Sequence, residues 1–235
     1  MPKGALAVIP ARYGSTRLPA KALLRETGKY LVQHVWERAR KAKKVDRVVI
    51  ATDDERIVEA ARSFGADVEM TRADHPNGTS RVAEVSARSP HAKVVNVQGD
   101  EPDLDPKLVD RVVDLLDEAE MATIATPSDG LAAPSRVKVV VDRDGWALYF
   151  SRAPMAGAML HLGLYGYTKK FLAKFVKLPA APPETAEKLE QLRALWHGHP
   201  IRVATVKTAG LGGIDTREDY DAFVKRTRID ASAKV

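Results

Sequence analysis

Apolar and polar positions alternate in blocks along the first half of this 235-residue chain. Residues 5–10, Ala-Leu-Ala-Val-Ile-Pro, form a continuous apolar run, the pattern of a strand buried on both faces. A polar stretch, 11–21, follows. Over 31–43 the spacing becomes helical, with Leu31, Val35, Trp36 and Ala39 on one side. A second strand is predicted over 47–52, and Asp53-Asp54-Glu55 opens a helix through 64 with carboxylates at its positive end. A short strand over 67–70, a helix over 80–88 and a fourth strand over 93–97 come next. Asp105-Pro106 starts a further helix, with proline in the first turn where it is tolerated.

This rhythm predicts an α/β fold, a mostly parallel sheet with helices on both faces and right-handed crossovers. Ligands in such sheets sit beyond the carboxyl ends of the strands. The two most unusual segments, 12–21 and 98–102, both fall there. After Met121 the pattern changes. Strands predicted over 136–141, 147–150 and 161–167 lie close together and give a small mixed-sheet lobe. A helix over 184–196, a strand over 201–206 and a closing helix over 216–226 complete the chain. The Ala/Pro-rich 178–183 reads as a loop, 1–228 as a single domain with its lobe roughly over 130–200, and 229–235 as a flexible tail.

Composition narrows the function classes. Hydrophobic residues make up 45% and charged residues 29%, a balance that excludes disorder. No apolar run approaches the ~20 residues that cross a bilayer. The first apolar run is also too short for a signal sequence, so no membrane role is expected. The absence of cysteine excludes disulfides and thiolate metal sites and fits a cytoplasmic protein. The net charge of +6 comes from scattered lysines and arginines. The dense cluster over 38–44 has no interleaved aromatic residue and reads as a solvated helix end, so no nucleic-acid partner is expected.

Three segments carry candidate chemistry. Pro10-Ala11-Arg12-Tyr13-Gly14-Ser15-Thr16-Arg17-Leu18-Pro19-Ala20-Lys21 places cations, hydroxyls and a glycine after a buried strand. A triphosphate needs backbone donors from a tight turn and guanidinium and ammonium groups for its spread charge. The segment is neither a Walker A loop nor a GxGxxG fingerprint, and by itself it also reads as a generic basic loop. In Gln98-Gly99-Asp100-Glu101-Pro102, Asp100 is either a hard oxygen ligand for Mg²⁺ or a cap for the next helix. In Gly213-Ile214-Asp215-Thr216, Asp215 is either a second metal carboxylate or the cap of the last helix.

Together with further segments these motifs resemble the 3-deoxy-manno-octulosonate (KDO) cytidylyltransferases. The resemblance runs collinearly from residue 5 to about 225. It takes in 9–19, Ala51-Thr52-Asp53-Asp54, Met70-Thr71-Arg72-Ala73-Asp74-His75, Gly78-Thr79 and 95–102. Val137-Lys138-Val139-Val140, Tyr149-Phe150-Ser151-Arg152, 161–167 and Leu189-Glu190-Gln191-Leu192-Arg193 complete it. It implies a Rossmann-like, GT-A-like nucleotidyltransferase fold and transfer of CMP from CTP to an acidic sugar, in lipopolysaccharide precursor synthesis. It further implies that Arg12, Ser15 and Lys21 bind the CTP phosphates, with Ala11 and Arg17 in the same loop, and that Lys21, Asp100 and Arg12 are catalytic. Thr71, Gly78 and Thr79 would read the cytosine, and Asp100 and Asp215 would hold Mg²⁺. Arg81, Gln98, His161, Tyr165, Glu190 and Gln191 would bind the sugar acid.

Three departures from the family pattern stand out. Ala20 replaces the usual glycine, a change that costs about 1 kcal/mol if the position needs a positive φ. Asn77 and Ser80 replace the usual serine and glutamate of the nucleotide loop. The segment 153–160 is much shorter than its family counterpart, which helps build a homodimer contact and part of the sugar pocket. Competing readings are a cytidylyltransferase for another acid (8-amino-KDO, a nonulosonate or phosphonoformate) and a catalytically silent protein of the same fold.

Overall fold

The computed structural model of the chain describes residues 2–15, 17–127, 133, 136–207 and 212–232, the side chains of 230–232 excepted. Its frame is a nine-stranded sheet. The strands β1 (Ala5–Pro10), β2 (Val45–Thr52), β3 (Asp67–Met70) and β4 (Lys93–Asn96) pair in parallel in the order β3-β2-β1-β4. Beyond β4 lie β8 (Met159–Thr168), β5 (Met121–Thr126) and β9 (Ile201–Thr205). β5 and β9 are parallel to each other, and β8 runs antiparallel to both β4 and β5. A ribbon of β6 (Lys138–Val141) and β7 (Ala147–Ser151) docks on the start of β8. The mixed portion expected after residue 121 is therefore one reversed strand inside a parallel sheet, together with its ribbon.

Successive side chains of a strand point to opposite faces, and β1 builds two cores in this way. Ala5, Ala7 and Ile9 join α1 (Leu31–Ala39), α2 (Glu55–Ser63) and α4 (Pro106–Leu115) on one face. Leu6 and Val8 join α3 (Gly78–Arg88), α5 (Lys169–Phe175) and α7 (Leu192–Trp196) on the other. All five of these β1 residues are fully buried. A third cluster docks the last helix, α8 (Arg217–Ser232), through Tyr220, Phe223 and Val224 onto Leu18, Leu31 and Ile214.

Helix starts follow their capping residues. Asp54, Asn77 and Asp105 each accept a backbone N–H in the first turn of α2, α3 and α4, and Pro106 occupies the start of α4.

Four expectations are corrected. The strand β5 has no counterpart in the apolar pattern, because Met-Ala-Thr-Ile-Ala-Thr dilutes its apolar run with hydroxyls although every residue is buried. The helix expected over 184–196 is two helices, α6 (Pro182–Glu187) and α7. Lys188 between them is left-handed at φ 55, and its N–H returns to the Glu184 carbonyl, a helix-ending turn. α6 also begins inside the expected loop over 178–183. Finally, α8 runs to Ser232, six residues past the expected end of the closing helix at 226, since Ile-Asp-Ala-Ser contains no helix breaker; residues 233–235 lie outside the described residues.

α4 approaches the sheet at Gly166 of β8, where an added Cβ would lie 2.4 Å from Val112 Cγ1 and 3.1 Å from Leu116 Cδ1. Gly166→Ala is therefore expected to destabilise the fold by about 1–3 kcal/mol through overpacking, read as a lower urea midpoint.

Candidate active site

β1 and β4 are neighbours with Ala7 opposite Val95 and Val8 opposite Asn96, so the loops that follow them leave the sheet side by side. A Cβ at Gly99 would stand 3.0 Å from the Pro10 carbonyl oxygen, and one at Gly78 would stand 3.2 Å from Pro10 Cγ. Three loops, 11–21, 74–79 and 98–101, meet at this point because two glycines leave room. Segment 213–215 closes the fourth side, with the Ile214 N–H bonded to the Asp100 carbonyl at 2.9 Å.

These loops enclose a cleft of about 400 Å³. It is lined by Ala11, Arg12, Ser15, Arg17 and Lys21 from the first loop, Gly78 and Arg81 from the start of α3, Gln98 and Asp100 from the turn after β4, and Asp215 from the last segment. Ten of the residues singled out in the sequence thus share one cavity at the carboxyl ends of the strands. Thr71, Thr79, His161, Tyr165, Glu190 and Gln191 do not line it.

The two open questions about carboxylates have structural answers. α4 is capped by Asp105, which accepts the Lys107 N–H at 3.0 Å, so Asp100 is not a cap. α8 is capped by Thr216 and Asp219. The Thr216 hydroxyl accepts the Asp219 N–H at 3.2 Å, and the Asp219 carboxylate accepts the Thr216 N–H at 2.9 Å. Both Asp100 and Asp215 are left to the cleft. Lys21 Nζ lies 2.6 Å from Asp100 Oδ2, 2.8 Å from the Ile214 carbonyl and 3.4 Å from Asp215 Oδ1. Arg17 Nη2 also reaches Asp215 Oδ1, at 2.8 Å.

One cation bridging both carboxylates shows that their oxygens converge on a common point. Among the described residues no group of three or more His, Cys, Asp or Glu side chains forms a metal cluster. Two hard oxygens in an open cleft suit Mg²⁺, which keeps waters and takes its remaining ligands from substrate phosphates.

The expected nucleotide loop is fixed from behind. Thr71 bonds the Thr52 carbonyl through both its N–H, at 2.8 Å, and its hydroxyl, at 3.0 Å. Arg81 holds Thr71 through its guanidinium and pairs with Asp53 at 3.1 Å. Arg81, expected among the sugar-binding residues, thus sits with the nucleotide loop. Glu84 of α3 holds the Arg72 N–H at 3.1 Å and His75 at 2.5 Å.

Behind the cleft lies a buried polar cluster. Glu190 and Gln191 were expected on a helix face, yet the break at Lys188 puts them in the link between α6 and α7. There Glu190 turns inward and accepts from Asn77 Nδ2 at 2.9 Å and from the Thr79 hydroxyl at 2.7 Å. Burial raises its pKa above the ordinary carboxylate value, against the lowering bond from Thr79. Opposite it, β8 bulges between its pairings with Thr123 and Ala125, with Gly163 at φ 69. The Thr123 hydroxyl donates to the Leu164 carbonyl at 2.7 Å, so at 2.8 Å it accepts from His161, whose proton is on Nε2. Burial lowers the His161 pKa to about 3, and the ring stays neutral. Burial, then the Glu190 charge, raises the pKa of the Tyr165 phenol. Glu101 is held well above its ordinary range by burial, with the Asp100 charge second.

Several of these partners carried no sequence signal. Thr123 lies on the unrecognised β5, and the Arg81–Asp53, His75–Glu84 and Asn77–Glu190 pairs join distant segments. Asp53 and His75 lie in segments that carry the family resemblance, and Arg81 and Glu190 were among its expected site residues. Asn77 stood out as a departure from the pattern. Their pairing carried no signal.

Comparison with known proteins gives the family and the fold. A family model described as cytidylyltransferase matches residues 6–203. The chain is 48% identical over 236 residues to a 3-deoxy-manno-octulosonate cytidylyltransferase of Syntrophotalea carbinolica, covering 91% of this chain and 94% of that protein. It is 49% identical over 240 residues to a protein of the same name from Pseudomonas syringae pv. tomato, again covering 91% and 94%. A solved CMP:2-keto-3-deoxy-manno-octonic acid synthetase complexed with CTP superposes with a TM-score of 0.90 at 39% identity, covering 99% of this chain and 100% of that one. A 4-diphosphocytidyl-2C-methyl-D-erythritol synthase from Anaerococcus prevotii shares the fold at a TM-score of 0.66 and 15% identity.

Two outcomes follow from the local geometry. Ala20 is left-handed at φ 53 and ψ 29, so Ala20→Gly is expected to raise stability by roughly 0.5–1 kcal/mol in thermal or urea unfolding. His161 binds its proton near pH 6.5 when unfolded and near pH 3 when folded. The unfolded state therefore takes up the extra proton first, and stability falls as pH drops between those values. Urea titrations from pH 7 to 4 should show this loss, approaching about 1.4 kcal/mol per pH unit, in the wild type minus His161→Gln difference. Glu101 and Glu190, shifted upward, act with the opposite sign and are shared by both proteins.

Proposed function

Given that the chain belongs to the 3-deoxy-manno-octulosonate cytidylyltransferase family, we propose that its cleft binds CTP along the loops 11–21 and 71–79 and the sugar acid against the polar cluster behind them. The enzyme joins CTP to KDO, giving CMP-KDO and pyrophosphate. The observation that carries the site assignment is the convergence of Lys21, Asp100 and Asp215 in a cleft also lined by Arg12 and Ser15.

In this reaction the anomeric hydroxyl oxygen of the sugar forms a bond to the α-phosphorus of CTP. The bond from that phosphorus to the bridging oxygen breaks, pyrophosphate leaves with the electron pair, and the hydroxyl proton passes to solvent. Arg12, Ser15 and Lys21 bind the triphosphate and align the leaving group. Lys21 offsets charge that grows on the phosphate oxygens in the transition state. Asp100 and Asp215 would hold Mg²⁺, which would supply Lewis-acid activation of the attacking hydroxyl and neutralisation of phosphate charge.

The cluster behind the cleft suits a polyhydroxylated acid. His161 and Glu190 are acceptors for sugar hydroxyls, and Gln191 Nε2 is a buried donor with no partner among the described residues. Gln98 supplies a further amide. Thr71, Gly78 and Thr79 face the cytosine side, where Arg81 braces the loop.

This activity supplies an activated sugar for lipopolysaccharide, and the reading extends to a cytoplasmic setting. Among the described residues no helix is long and apolar enough to cross a membrane. It also extends to a homodimer, supported by the exposed Leu148 and Tyr149 on β7 and Trp196 on the adjacent α7.

Pyrophosphate release from CTP and Mg²⁺ should require KDO and fail with 8-amino-KDO, a sialic acid or phosphonoformate. Asp100→Ala is expected to lower kcat at least about a hundredfold. Full activity in that variant would remove Asp100 from the metal site, and release with another acid alone would move the substrate.

A further inference from the structure

We propose that Lys21 and Arg17 act as an internal cation lock on the metal carboxylates, one that nucleotide phosphates must open before a divalent ion can bind tightly. This rests on the assignment of Asp100 and Asp215 as the metal ligands. An ammonium has three protons to donate and no lone pair. Lys21 finds three acceptors, at 2.6 Å on Asp100, 2.8 Å on the Ile214 carbonyl and 3.4 Å on Asp215. Its hydrogen-bonding capacity is filled, so in this state it has no proton left for a phosphate. Arg17 adds a second cation on the same Asp215 oxygen at 2.8 Å. Two positive and two negative groups therefore close on each other inside the cleft.

The lock is placed where it can be opened. All four side chains line the cleft. Lys21 is 17% exposed and reaches its partners through four flexible carbons, whereas the loop beneath it is fixed by Leu18 in the cluster of Ile214, Tyr220 and Phe223. Releasing it needs only side-chain rotation. A divalent ion arriving alone must either displace the ammonium from Asp100 or sit within a few ångströms of it against like-charge repulsion. A triphosphate changes that balance, since it offers Lys21 and Arg17 new anionic partners in the same cleft. The carboxylates are freed as the phosphates arrive, and the ion meets both sets of oxygens together. Metal and nucleotide then each tighten the other by the same factor, as linkage requires.

The test is Mn²⁺ binding by the full chain, followed by the electron paramagnetic resonance of free Mn²⁺ without acid acceptor, with the Mn²⁺ that CTP chelates by itself subtracted from a protein-free titration. The wild type should bind Mn²⁺ weakly alone and at least about tenfold more tightly with CTP. Lys21→Met should bind Mn²⁺ alone about tenfold more tightly than the wild type. Arg17→Gln should shift the same way by less, because Arg17 is largely exposed and its pairing is screened. Being a surface change, it carries the test if Lys21→Met fails to fold. Equal Mn²⁺ affinity of wild type and both variants without nucleotide overturns the lock. Asp100→Asn, measured with CTP, separates the two readings. Loss of Mn²⁺ binding there upholds the metal assignment whatever the lock does, and unchanged binding overturns that assignment and the lock with it.

Discussion

The parallel pairing of β1 with β4 is the constraint on which the active-site end of this protein depends. Because Val8 faces Asn96 in register, the basic loop after β1 and the Gln98–Glu101 turn after β4 leave the sheet as neighbours. Their separation is set by backbone, with Gly99 tucked against the Pro10 carbonyl. A Cβ at that glycine would stand 3.0 Å from the Pro10 oxygen, so a side chain there would strain the contact between the two loops. The hydrogen bond from Ile214 to the Asp100 carbonyl then brings in the last segment, and α8 holds that segment in place by burying Tyr220 and Phe223. The approach of Lys21, Asp100 and Asp215, which spans over a hundred residues of sequence, thus descends from one strand pair, one close-packed glycine and the docking of α8.

Behind the cleft, polar groups are buried at a cost that packing alone would not favour. His161 is held neutral, Glu101 and Glu190 are pushed upward, and Glu101 Oε2, Asn96 Oδ1 and Gln191 Nε2 have no partner among the described residues. Leaving such groups unpaired costs about 1–3 kcal/mol each. On the proposed reading, a polyhydroxylated ligand bound against this cluster would recover part of that cost. The bulge in β8 is the device that makes the arrangement possible, since it brings the Leu164 carbonyl and His161 onto the same Thr123 hydroxyl.

Much of the cleft was legible in the sequence. Arg12, Lys21 and Asp100 sit in short motifs directly after buried strands, and the strand–helix alternation fixes which end of the sheet those motifs occupy. The capping box at Thr216 and Asp219 was also readable in principle, and it would have freed Asp215 for the cleft without any structure. What could not be read depends on contacts across the sheet. β5 hides because its threonines break the apolar run, and with it went Thr123. The break at Lys188 was invisible because nothing in a lysine marks a left-handed turn; the signal was the helix that should have continued. Arg81 was expected at the sugar by likeness, and its bonds to Asp53 and Thr71, which tie α3 to the ends of β2 and β3, could not be read from spacing.

Asn77 does two jobs at once. Its Oδ1 caps α3 at the Ser80 N–H, and its Nδ2 holds Glu190. On the proposed assignment, one side chain would belong both to the loop beside the nucleotide and to the pocket for the acid, and the two halves of the substrate pair would be coupled through it. A replacement at Glu190 that suits a different acid leaves Asn77 with an unpaired amide at the start of a helix. On that assignment, a change in the acid pocket would be felt at the start of α3, and substitutions at Glu190 and Asn77 would be non-additive.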